Sequence, residues 1–452
     1  MSTHRDLSQT IATSILGIDT LWGGDVMNPS GLGRFIADSW FSNEPLPVAY
    51  THAAAKRLRQ TGGVAGKPID QAAVDAYLAA VDVHRSVREL AHAGKTEGGL
   101  RGAYLTSMAE SLEVMWDLAA ELLDRGPKVA YERCVIASSG RAPEPSHPEE
   151  KRRLVGELLA RADLPTGTPA ELEASVEAWR KARLVPKKAI GQLAGAFIAQ
   201  LEAGTREHVV PHLPTALHAI PRANIRFLPI ENAWFSGSMN YLGRARKGDG
   251  SPEYEASYEI NAALEISVPE FVQLVSHEVV PGHVTTFALA QALYVQNQLG
   301  FEATVLTMNT RGATLSEGIA NNAVLMAYGV TEIAALPDPD LQLGVLLALL
   351  QDDAKNQSSW LTWKEGRAQA EVADVLRHDY LCSAERADKL SGAWGRHPLL
   401  GRMYLPCYRA GTERVAELRR QHPPEKIIPA LFGCRGLVDI VTIDAALRGE
   451  PE

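Results

Sequence analysis

His277-Glu278-Val279-Val280-Pro281-Gly282-His283 sets two imidazoles and a carboxylate within seven residues, and Glu317 follows in Ser316-Glu317-Gly318-Ile319-Ala320. Two histidine nitrogens and one carboxylate oxygen are the donor set of a catalytic zinc ion that keeps one position open. A further carboxylate beside the first histidine suits a general base acting on a water at such an ion. The stretch reads as the heart of a metal-dependent hydrolase, most readily a peptidase or amidohydrolase.

The spacing departs from the usual H-E-x-x-H, in which the two histidines share one helix face. Six residues advance a regular helix by about 600° and would leave the rings on different faces. Pro281 removes the problem. Its ring clashes with the carbonyl of His277, and it has no N–H to donate there. With Gly282 adding freedom at the same point, a kink or bulge can absorb the two extra residues and return His283 to the side of His277.

H-E-x-x-P-G-H followed by S-E-G-x-A resembles the DUF885 group of bacterial proteins, which is related to the gluzincin metallopeptidases. The likeness extends to Tyr408-Arg409-Ala410-Gly411 and to Tyr258-Glu259-Ile260-Asn261, and it is best from about Asn224 onward. Carried over by position, it implies His277, His283 and Glu317 as metal ligands and Glu278 as general base. It also favours Tyr408 as the donor to the reaction's oxyanion, with Arg409 and His397 behind it. The chain departs from many members in having Val284-Thr285-Thr286 after the second histidine.

Around the motif, Ser267-Val268-Pro269-Glu270 matches a capping box that opens a helix ending near His277 and Glu278. A second helix is expected from Pro281 to about Leu299. A third, from Ser316 to Tyr328, should have Glu317 opening it or sitting within it. Tyr254 to Asn261 alternates apolar and polar residues as a half-buried strand does. We expect it to be an edge strand that binds substrate backbone, with Asn261 holding a substrate amide. Ile225, Phe227 and Ile230 suggest another strand despite Pro229, and 237–250 suggests a hairpin or flap.

Helix signals dominate the first half, with apolar residues three and four apart over 68–93 and 103–123. Met108, Leu112, Met115, Trp116 and Leu122 form one such stripe, and 138–153 reads as a turn-rich linker. The expected architecture is therefore mainly α with a small β-sheet, of zincin-like metallopeptidase type. It should comprise a helical N-terminal lobe over 1–218 and a metal-bearing half over 219–452, with the active cleft between them.

With 452 residues, 46% of them hydrophobic, the chain can bury an ample core. A net charge of −9 argues against nucleic acid or anionic membrane as a main partner. Cys134, Cys382, Cys407 and Cys434 are too dispersed for a disulfide framework. The stretch Met1-Ser2-Thr3-His4-Arg5-Asp6 lacks the apolar core of a signal peptide, so the cytoplasm is expected. The cofactor expected is Zn²⁺, with Fe²⁺ or another divalent ion also suited to the donor set. The substrate is expected to be a peptide or small amide. The competing readings are a non-hydrolytic metalloenzyme acting on a small molecule and a non-catalytic helical binding protein. Glu278 speaks against the last, because a purely structural site needs no base.

Overall fold

The computed structural model describes residues 6–28, 36–230, 237–261 and 265–449; most of the N-terminal stretch read above lies outside them. The first half is helical, with α1 (Leu7–Leu21), α2 (Gln71–Ala80), α3 (Val83–Glu97), α4 (Gly99–Leu122) and α5 (Tyr131–Ser139) around one apolar core. The periodicity over 68–93 predicts one helix, yet the chain makes two. Asp82 leaves the helical region, and its carboxylate accepts the backbone N–H of Arg85, capping α3. Met108, Leu112 and Met115 lie in the core, with Trp116 and Leu122 packed partly buried against it.

The linker over 140–148 leads to α6 (Glu149–Arg161) and α7 (Pro169–Ala182). Their apolar residues Val155, Leu159, Val176 and Trp179 pack on Leu347 and Leu350. Phe301, Val305, Leu399 and Met403 likewise enter the core of the first helices. The apolar packing thus crosses residue 218 in both directions.

After α8 (Ile190–His208) come three strands, β1 (Ile225–Ile230), β2 (Gly237–Tyr241) and β3 (Ala256–Asn261). Ala256, Tyr258 and Ile260 are buried, as the alternation requires. The order is β1-β3-β2, with β1 parallel and β2 antiparallel to β3. Tyr258 therefore stands between Phe227 on one side and Met239 on the other. This corrects the expectation of an edge strand: β3 is central, and both of its hydrogen-bonding sides are taken. The outer strands are β1 and β2, and β1 tolerates Pro229 because it is an edge. The 237–250 segment forms the hairpin arm of β2, closed by Leu242 N–H to Glu255 O and Lys247 N–H to Ser251 O.

The second half continues with α9 (Val268–Glu278), α10 (His283–Val295), α11 (Arg311–Asn321), α12 (Ala323–Ala327), α13 (Pro339–Ser359) and α14 (Leu405–Gln421). Helix α11 packs on α14, and α13 packs on both α9 and α14. Two motif glycines explain the first crossing. A Cβ on Gly318 would stand 2.3 Å from Gly411 O, and one on Gly411 would stand 2.0 Å from Thr314 O. The Gly of Ser-Glu-Gly and the Gly of Tyr-x-x-Gly are thus the two faces of one close backbone contact. The fold is mainly helical with one small sheet, and among the described residues no helix is long and apolar enough to cross a membrane.

Candidate metal centre

The helix carrying His277 starts at Ser267, whose hydroxyl accepts the Glu270 N–H at 3.4 Å and donates to the Glu270 carboxylate at 2.7 Å. Glu270 is also held by Arg180, at 2.9 Å. Helix α9 ends at Glu278, and the Val280–Pro281 peptide bond is cis. The Gly282 N–H returns to Ser276 O at 3.0 Å, and α10 begins at His283. The sequence predicts one helix ending near Glu278 and a second starting at Pro281; the chain breaks there with a four-residue turn and the second helix starts two residues later, at His283. The physical cause is the one expected of Pro281, with Gly282 pressed so close that a Cβ there would lie 1.9 Å from His277 O.

That turn brings the imidazoles together, edge to face with ring centroids 4.7 Å apart. Of the two placements the sequence allows for Glu317, at the opening of its helix or within it, the structure takes the second, because the helix starts at Arg311 and not at Ser316. Thr310 caps α11 by accepting the Ala313 N–H, and Glu317 sits within the helix, reaching the two rings from across the site. Its Oε2 lies 3.5 Å from His277 Nε2 and its Oε1 lies 3.8 Å from His283 Nε2. These separations are too long for hydrogen bonds. They are close to the edge of about 3.3 Å that a tetrahedron of zinc ligands would span. One donor atom from each of the three residues lies within 4.8 Å of the others.

Glu317 is 6% exposed and its Oε2 has no hydrogen-bond partner. A buried carboxylate oxygen left bare costs free energy that a cation would recover. Burial raises the Glu317 pKa, against the opposing pull of His283, Tyr404 and Lys355. The donor set, its spacing and the bare oxygen together fit a divalent metal.

The surroundings orient each donor. His277 Nδ1 meets Asn321 Oδ1 at 2.8 Å. The Asn321 amide nitrogen donates to Asp352 Oδ2 at 2.7 Å and to Thr412 Oγ1 at 2.8 Å. The Asn321 oxygen must therefore accept, which puts the imidazole proton on Nδ1 and the lone pair on Nε2, toward Glu317. Burial, with help from His283 and Lys355, lowers the His277 pKa and keeps the ring neutral, as a ligand must be. His283 Nδ1 pairs with Ser316 Oγ at 3.3 Å. The Tyr404 hydroxyl donates to Glu317 Oε1 at 2.5 Å.

Tyr404, Asn321 and Lys355 escape the sequence reading. Tyr404 is delivered by a wide helical turn, Leu400–Tyr404, one of three such turns with 360–364 and 390–394. Ser358 donates to Leu390 O, Ser359 to Gly401 O and Trp363 to Gly395 O, each at 2.6 Å, so carbonyls freed by the wide turns are satisfied. The one signal available was the four-residue spacing of Tyr404 and Tyr408, which places both on one helix face.

Tyr408 stands beside Tyr404, with ring centroids 5.1 Å apart, and the buried Lys355 ammonium lies 3.2 Å from the centre of its ring. Glu278 is half-buried at the end of α9, outside the donor set; burial raises the pKa of both Tyr258 and Tyr408, and the charge of Glu278 adds to it. The Tyr258 hydroxyl is fully buried without a hydrogen-bond partner. The structure thus gathers His277, His283, Glu317, Glu278 and Tyr408 into one place. Arg409 is directed elsewhere, with its guanidinium on Glu413 at 2.7 Å, Pro145 O at 2.9 Å and Glu144 at 3.3 Å. His397, the other candidate donor after Tyr408, caps a turn, its Nδ1 accepting the N–H groups of Leu399 and Leu400 near Trp22. Asn261 ends β3 opposite Ile230.

No family model matches the chain, and no curated protein matches it. Solved structures do share its fold. One, provisionally described as a lipoprotein from Colwellia psychrerythraea, is 13% identical with a TM-score of 0.53, over 89% of this chain and 68% of that one. Another, provisionally described as a lipoprotein of unknown function from Shewanella oneidensis, is 13% identical with a TM-score of 0.52, over 90% of this chain and 79% of that one. At this identity the likeness concerns the path of the backbone.

Proposed function

We propose that the chain is a zinc-dependent hydrolase of peptides or small amides, built on a zincin-like scaffold and akin to the DUF885 group. The observation that carries this reading is the His277–His283–Glu317 cluster with one bare buried carboxylate oxygen and a separate carboxylate, Glu278, beside it. His277, His283 and Glu317 would hold the ion. When bound, it would supply a Lewis acid that lowers the pKa of a coordinated water and polarises a carbonyl.

The chain's own residues account for the remaining needs of amide hydrolysis. Glu278 takes the proton of the attacking water and returns it to the leaving amine. Tyr408 offers a phenolic donor for the developing oxyanion. Asn321, Ser316 and Tyr404 fix the three donor side chains, as outer hydrogen-bond partners do. The four cysteines are free, which suits the cytoplasm, whereas the lipoprotein description belongs to the neighbours alone.

The same donor set suits non-haem iron, so oxidative chemistry on a small molecule is the second reading. One experiment separates them. Zinc-loaded protein should cleave amide substrates, and Glu278→Gln should lose about 10²–10⁴ of that rate while keeping its zinc. Oxygen consumption with iron, and no hydrolysis with zinc, would favour the second reading.

A further inference from the structure

Beside the donor set lies a small apolar cluster separate from the main cores. Leu400, Tyr404 and Cys407 are buried in it, and Met308, Trp394 and Tyr408 pack against it partly buried. Because Tyr404 touches Glu317, this wall begins at the metal centre itself. Large apolar side chains held at the margin of a buried polar site are what a ligand's apolar group rests on.

One cation at the far end of this wall makes no ion pair among the described residues. The Arg386 guanidinium lies 5.1 Å from the centre of the Trp394 ring, and among the described residues it has no acidic partner. The nearby acids on its own helix are engaged elsewhere: Glu385 with Lys389 at 2.7 Å and Asp388 with Gln369 at 3.3 Å. The next cation inward, Lys355, is 8% exposed and has taken Asp352 at 2.9 Å. Burial lowers the Lys355 pKa, and the charge of Arg386 adds to that. Lys355 thus has its carboxylate, whereas Arg386 makes no ion pair among the described residues. An arginine fork stacked on an aromatic ring and lacking an anion is complementary to a carboxylate.

Resting on the hydrolase reading above, we propose that the substrate carries a free carboxylate next to an apolar side chain. It would be a short peptide cleaved at its C-terminal end or an N-acylated amino acid. Its carboxylate pairs with Arg386, and its side chain rests on Met308, Trp394 and Tyr408.

The test uses the full zinc-loaded chain with benzoylglycyl-L-phenylalanine and its C-terminal amide. Calorimetry with N-acetyl-L-phenylalanine and its amide measures binding independently of cleavage. The free acids should be bound and cleaved at least about tenfold better than the amides. Arg386→Gln should erase that preference through KM and Kd for the free acids, with zinc content and thermal stability unchanged. Equal handling of acid and amide by the native chain, or a preference that survives Arg386→Gln, overturns the proposal. Binding that prefers the acid through Arg386 without any cleavage would sustain it and sink the hydrolase reading instead. Absence of binding to either compound overturns it as well.

Discussion

Gly282→Ala is the sharpest perturbation of the turn that makes the site. The new Cβ would lie 1.9 Å from His277 O and 2.4 Å from Ser276 O, where ordinary contact begins at 3.4 Å. Both obstacles are backbone, so no side chain can swing aside. To reach ordinary contact the His277 carbonyl must retreat by about 1.5 Å, the difference between those two distances. That carbonyl belongs to the residue whose ring is a donor, so the retreat moves Nε2 relative to His283. Zinc–ligand distances tolerate only about 0.2 Å. We expect zinc affinity to fall at least about 100-fold, or about 2.7 kcal/mol, with a further 1–3 kcal/mol, roughly, lost from the fold through overpacking. Competition titration against a chelator of known affinity measures the first, and denaturant unfolding of the metal-free protein measures the second. At a free zinc concentration of about 100 times Kd, the native chain should gain about 2.7 kcal/mol that the variant lacks. A folded Gly282→Ala protein that binds zinc within about threefold of the native chain would refute the reasoning.

Two further outcomes follow from the same geometry. Asn321→Leu leaves His277 Nδ1 without its acceptor and should weaken zinc binding about 10–100-fold in a folded protein; unchanged affinity would show that the hydrogen bond does not orient the ring. His397 is half-buried, and desolvation, aided by Lys67, lowers its pKa from 6.5 to about 4. Folding therefore favours the neutral ring, and about 3 kcal/mol of stability present above pH 6.5 should drain away as the pH falls to about 4. His397→Asn keeps an acceptor for the Leu399 and Leu400 N–H groups but cannot take up that proton. Its unfolding free energy should lose correspondingly less over this window, and an unaltered acid profile would contradict the assignment.

The candidate donors His277, His283 and Glu317 and the carboxylate of Glu278 were legible because each sits in a short motif whose chemistry is local. Pro281 announced the break between two helices at the right place, and the second helix starts two residues later than its ring suggested. The strand pattern of Tyr254 to Asn261 was legible for the same reason: alternation depends on which face is buried. Its central position was not, because alternation says nothing about how many neighbours a strand pairs with. The partners that orient the site were hidden. Asn321 acts through Asp352 and Thr412 from two other helices, and Tyr404 reaches Glu317 only through a wide turn stitched to α13. Such contacts arise from tertiary packing, as does the diversion of Arg409 to Glu413 and Glu144.

Metal content decides the matter most directly. After equilibration with zinc and removal of the excess, elemental analysis should find about one zinc per native chain and almost none in folded His277→Ala, His283→Ala or Glu317→Ala. A native chain without zinc, or alanine variants that retain it in full, would contradict the account.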